Sequence, residues 1–90
     1  MRVRLAKPAR QELLSIWEYV AMDNPLAATK LTQRITDACR RLGRFTKLGK
    51  PGRSDDTREL GVSGTPYVVV YRVLRTEVRV LRILHGSRKW

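Results

Sequence analysis

The sequence predicts an α+β fold with the order β-α-α-β-β-β, a helical hairpin packed on a small antiparallel sheet. Three observations carry this. Two consecutive stretches place apolar residues at intervals of three and four, and Asp23-Asn24-Pro25 separates them. The C-terminal third is rich in β-branched residues and interrupted by short turn signals. A brief alternation of arginine and apolar residues opens the chain.

Arg2 to Ala6 alternates so that Val3 and Leu5 point one way and Arg2 and Arg4 the other, which predicts a half-buried strand. Pro8 suits the first turn of a helix, where its missing N–H costs nothing. Ala9, Leu13, Ile16, Trp17 and Val20 then mark one buried face, and the helix should stop near Met22 or Asp23. Asn24 can accept a hydrogen bond from an unpaired N–H of the next helix, and Pro25 fits that helix's first position. Ala28, Leu31, Ile35, Ala38 and Leu42 continue a stripe over about five turns. So short a connection requires the two helices to fold back on each other. Cys39, beside the stripe, reads as a small core residue.

Residues 43–56 break the pattern. Gly49, Pro51, Gly52 and Ser54 mark a basic loop, expected to be mobile at the surface, in which Asp55-Asp56 is a solvated pair. Thr57 to Val62 is a strand, and Ser63-Gly64-Thr65-Pro66 a turn. Tyr67 to Val73 is a strand apolar enough to be central with both faces covered. Tyr67 and Tyr71, four apart, share one of its faces. A short connection leads to a last strand, Val78 to Leu84. Links this short imply an antiparallel meander.

Ninety residues and 10.4 kDa leave room for one domain, residues 1–90. With no apolar run near membrane-spanning length and no signal-like start, a cytoplasmic protein is expected. One cysteine excludes an internal disulfide, and one cysteine with one histidine disfavours a zinc site, so no metal and no cofactor is expected. Nineteen Lys and Arg face eight Asp and Glu, for a net charge of +11. Such a chain seeks an anionic partner: nucleic acid, a ribosome or an acidic protein. The scattered acids disfavour a two-carboxylate hydrolase.

What remains is arginine. Seven basic residues lie between Arg40 and Arg58, and six between Arg72 and Lys89 against the single acid Glu77. Arginine grips phosphate with two parallel hydrogen bonds and stacks on bases. His85 reads either as a general acid or base, or as a strand-end histidine held by a hydrogen bond. Trp90 reads either as a stacking platform or as a terminal aromatic packed on the hairpin.

Arg58-Glu59-Leu60, the run from Gly64 to Val73 and the run from Val80 to Trp90 resemble, in that order, the ParE/RelE superfamily. These are toxins of bacterial type II toxin–antitoxin modules. The helix from Ala9 to Tyr19 and the Asn24-Pro25 start of the second helix fit as well, so the resemblance spans nearly the whole chain. It implies the same fold and a cognate antitoxin, an acidic and partly disordered protein that folds on its toxin as a hetero-oligomer. Two mechanisms share this scaffold. RelE-like members are metal-independent endoribonucleases that cut mRNA in the ribosome. ParE-like members bind DNA gyrase and are not known as enzymes. On the RelE pattern, Arg58, Arg82, His85 and Arg88 are the catalytic candidates, although Ser63-Gly64 stands where those enzymes carry an arginine. The ending His85-Gly86-Ser87-Arg88 looks more like ParE. The expected function is therefore a gyrase-binding toxin, with an endoribonuclease and a non-toxic nucleic-acid-binding module as alternatives. Arg82, His85, Arg88, Lys89 and Trp90 would serve target binding and toxicity. Leu13, Trp17, Leu31 and Ile35 on the hairpin would hold the antitoxin.

Overall fold

The computed structural model describes residues 1–86. Its elements are β1 (Arg2–Leu5), α1 (Lys7–Ala21), α2 (Pro25–Arg41), β2 (Lys50–Pro51), β3 (Arg58–Gly61), β4 (Tyr67–Val73) and β5 (Glu77–His85). The helix signals act as the sequence suggests. Pro8 lies in the first turn of α1. Asn24 caps α2, its Oδ1 accepting the Ala27 N–H at 3.1 Å. Arg40 and Arg41 occupy the last turn of α2, where their charge complements the exposed carbonyls.

The five strands form one sheet in the order β1-β5-β4-β3-β2, which makes β4 central as expected. Two expectations are corrected. The sheet is mixed and not wholly antiparallel, because β1 runs parallel to β5, Arg2 opposite Glu77 through Leu5 opposite Val80. The short links around β4 fix antiparallel neighbours, but β1 reaches the sheet only by way of the helical hairpin, and a crossover connection admits parallel pairing. Residues 43–56 are also not a loose loop. Lys50–Pro51 adds a fifth strand against β3. The Tyr71 hydroxyl donates to the Thr46 carbonyl at 2.8 Å and accepts the Gly49 N–H at 2.9 Å. A Cβ at residue 49 would stand 2.8 Å from both the Tyr71 ring and the Glu59 carbonyl, so this approach requires glycine.

The helices cover one face of the sheet. Ile16, Ile35, Ala38, Cys39 and Leu42 from the hairpin meet Val69, Tyr71, Val78, Val80 and Ile83, with Val3 and Leu5 packed alongside. Burial pushes the Cys39 thiol up to about 11, which keeps it neutral and unreactive near neutral pH. Among the described residues no helix is long and apolar enough to cross a membrane.

β5 carries one irregularity with a consequence. Tyr71 pairs with Val80 and Val70 with Arg82, so Leu81 is an unpaired extra residue. A bulge of this kind re-aims the side chains that follow it. Just before it, β1 ends, its ladder closed by the Ala6 N–H donating to the Val80 carbonyl at 2.8 Å. Beyond that point β5 has an open edge.

Candidate functional site

Glu12 of α1 closes that edge. Its carboxylate accepts the Ile83 N–H at 2.9 Å and takes two parallel hydrogen bonds from Arg82, Nε to Oε1 at 3.1 Å and Nη2 to Oε2 at 2.7 Å. The N–H that β1 leaves unmatched and the guanidinium that the bulge turns aside end on one carboxylate. Hydrogen bonding to Glu12 holds Arg82 cationic beyond the ordinary guanidinium range, against a partial loss of hydration. Arg82 remains about two-fifths exposed. Sequence reading named Arg82 but missed Glu12, which stands seventy residues away and carries no local signal.

Beside this pair, between α1 and the ends of β4 and β5, opens a groove of about 750 Å³ whose lining includes Ile16, Tyr19, Tyr67 and His85. His85 is exposed, and its ring meets Tyr67 edge-on with centroids 5.8 Å apart. Tyr67 and Tyr71 share the helix side of β4, but only Tyr71 is fully buried.

Arg58 is tied elsewhere. It sits on β3, separated from β5 by β4, and its Nη1 donates to the Gly49 carbonyl at 2.7 Å. Arg58 and Arg82 are therefore not brought together around one site: each ends on a different partner. Arg58 joins Tyr71 in pinning the 46–51 segment to the sheet, a role that strand and loop signals could not disclose. Arg88, Lys89 and Trp90 lie outside the described residues.

On the hairpin the structure separates the four named residues. Ile35 is wholly buried at the centre of the core, so its assignment as a docking residue is corrected: it packs between α2 and the sheet and presents nothing to a partner. Leu13 and Leu31 are half-buried against the same core. Trp17 is exposed, with its indole N–H donating to Thr29 Oγ1 across the seam of the hairpin at 3.2 Å. The large apolar side chains the hairpin does present also include Leu14, Tyr19, Met22 and Leu26. The apolar stripe located the side turned toward the core; the exposed residues lie off it.

Residues 3–90 match the family model of the ParE toxin of type II toxin–antitoxin systems. The candidate toxin Y4kP of Sinorhizobium fredii is 35% identical over 89 residues, covering 99% of this chain and 92% of that protein. Toxin RelE2 of Caulobacter vibrioides is 32% identical over 80 residues, covering 89% of each. Among solved structures, a chain of the chromosomal ParDE toxin–antitoxin system of P. aeruginosa superposes with a TM-score of 0.85 at 26% identity, covering 94% of this chain and 95% of that one. A chain of the toxin–antitoxin complex RelBE2 of Mycobacterium tuberculosis shares the fold, with a TM-score of 0.62 at 24% identity over 97% of this chain and 92% of that one.

Proposed function

Because the chain belongs to the ParE toxin family of type II toxin–antitoxin systems, we propose that it arrests growth by binding DNA gyrase directly and is neutralised by a cognate antitoxin. The observation that carries this reading over a ribonuclease is the commitment of Arg82 and Arg58 inside the chain. A ribosome-dependent nuclease on this scaffold would aim both at one scissile phosphate. Here one is gripped by Glu12 and the other by the Gly49 carbonyl. Arginine also stays protonated and makes a poor base.

Target binding is assigned to the C-terminal end of β5 and the residues after it: His85, Arg88, Lys89 and Trp90, together with the two-fifths of Arg82 that Glu12 leaves exposed at the groove. The antitoxin's seat is the helical hairpin, with Trp17 its anchor and Leu14, Met22 and Leu26 beside it, since these large apolar side chains already face solvent. α2 supplies Lys30, Arg34, Arg40 and Arg41 against Asp37, a charge balance suited to an acidic partner.

The test is a supercoiling assay on purified gyrase with the toxin freed of its antitoxin. Inhibition with cleaved DNA trapped is the expected result. Full gyrase activity under a large excess of folded protein overturns the reading. It would favour the second one, an mRNA endoribonuclease, which the likeness to Toxin RelE2 supports and which makes Arg58, Arg82, His85 and Arg88 the first residues to substitute.

A further inference from the structure

The strand register places three arginines in a row. Arg4 of β1 lies opposite Arg79 of β5, and Arg79 lies opposite Arg72 of β4. Residues paired in this way project from the same face of a sheet. That face is the one without helices: their chain neighbours Val3, Leu5, Val78, Val80 and Tyr71 all point into the helix-side core. Arg2, two residues before Arg4, projects from the same face.

Like charges directly across a sheet repel, so this row is not explained by folding. One acid moderates it. Glu77, mostly buried, accepts two hydrogen bonds from Arg79, Nε at 3.1 Å and Nη2 at 3.0 Å, and lies 3.9 Å from Arg4. Among the described residues Arg72 has no such partner: no carboxylate lies within ion-pair distance of it, and its buried Nε makes no hydrogen bond. The row therefore keeps a surplus of positive charge, with Arg4 and Arg79 both well exposed.

We propose that this row is a binding surface for the phosphate backbone of duplex DNA, separate from the end of β5 and from the hairpin. Adjacent strands lie about 4.8 Å apart, so the row is about 10 Å long. That is the axial rise of about three nucleotides in one DNA strand. The partner is a backbone and not a folding peptide because of where the apolar surface lies. Large exposed apolar side chains are concentrated on the hairpin and on Phe45 and Leu48, with Met1 and Val73 at strand ends and Val73 paired with the helix-side Val78, and a peptide that orders on binding needs such anchors. The row offers forked donors, which match phosphate. A toxin of this form would hold the DNA beside its protein target.

The test measures binding of a labelled duplex of mixed sequence to the full-length protein over a series of salt concentrations, with no gyrase present. It is thus independent of the gyrase reading. The expected result is a linear fall of log affinity with log salt. The variant Arg4→Gln/Arg72→Gln/Arg79→Gln should reduce the slope by about 2 to 3 and weaken low-salt binding at least tenfold. Arg34→Gln/Arg40→Gln/Arg41→Gln, which removes the same charge from α2, should change both much less. Arg79→Gln alone should reduce the slope by about 1. Equal losses in the two triple variants would overturn the proposal, because binding would then follow overall charge. Wild-type binding by every row variant would overturn it too. So would loss of polyglutamate binding by the row variants with DNA binding intact, which would assign the row to an acidic protein.

Discussion

Arg82 and Arg58 end on partners supplied by their own chain, whereas Arg4, Arg79 and Arg72 stand side by side with one carboxylate among three. The same residue type, on strands of one sheet, fills two roles. At the β5 edge arginine grips the carboxylate that closes the open backbone N–H, and over the 46–51 segment it satisfies a backbone carbonyl directly. On the helix-free face Arg79 is gripped by Glu77, yet the row still gathers more positive charge than that one carboxylate balances. An excess of arginine in a sequence thus says little about any one arginine. What decides is whether an acceptor lies within reach, and that is set by tertiary contacts.

The helix side can be broken most severely. Ile35→Ala should cost about 2–5 kcal/mol, since the side chain is wholly enclosed and a cavity would replace it. Urea unfolding measures this. A variant of native stability that fails only in antitoxin binding would restore Ile35 as a docking residue. Tyr71→Phe should cost about 1–3 kcal/mol, because the Gly49 N–H and the Thr46 carbonyl lose their shared partner. Faster amide exchange confined to residues 46–51 should accompany it. Unchanged protection there would show that the segment is held by something other than this hydroxyl.

Cys39 sharpens the same side through pH. Burial raises its folded-state pKa from 9.0 to about 11, so the folded chain keeps the proton that the unfolded chain releases. The contribution is complete below pH 9 and falls between pH 9 and about 11, by at most about 1.4 kcal/mol per unit. The difference in pH slope between wild type and Cys39→Ala isolates it from the tyrosines and lysines. Parallel slopes would show that the thiol is wet in the folded state.

Local signals explain what was legible. Pro8, Asn24 and Pro25 punctuate the helices through contacts within one turn, and both helices begin where these residues direct. β4 declared its central place by its apolar run. The parallel pairing of β1, the Glu12–Arg82 contact and the Tyr71 staple join residues far apart in sequence, and no periodicity encodes such a meeting. The arginine row was half legible. Alternation in β1 turned Arg2 and Arg4 outward, but only the register sets Arg4 beside Arg79 and Arg79 beside Arg72. The helix stripe misled for the opposite reason. A strong apolar periodicity identifies the side that folding consumes, so Ile35 was visible as apolar but not available.

The most direct test of the contrast between the two kinds of arginine compares Arg82→Gln with Arg72→Gln by urea unfolding under one low-salt condition. Arg82→Gln should lose roughly 1–2 kcal/mol, discounted for its exposure, because it removes the forked contact to Glu12. Arg72→Gln should be neutral or gain a few tenths of a kcal/mol, because it relieves repulsion across the strands and removes an unpartnered buried donor. Opposite responses, converging as salt is added, are the predicted result. Equal destabilisation by both, or a neutral Arg82→Gln, would contradict the division of labour between the paired arginines and the row.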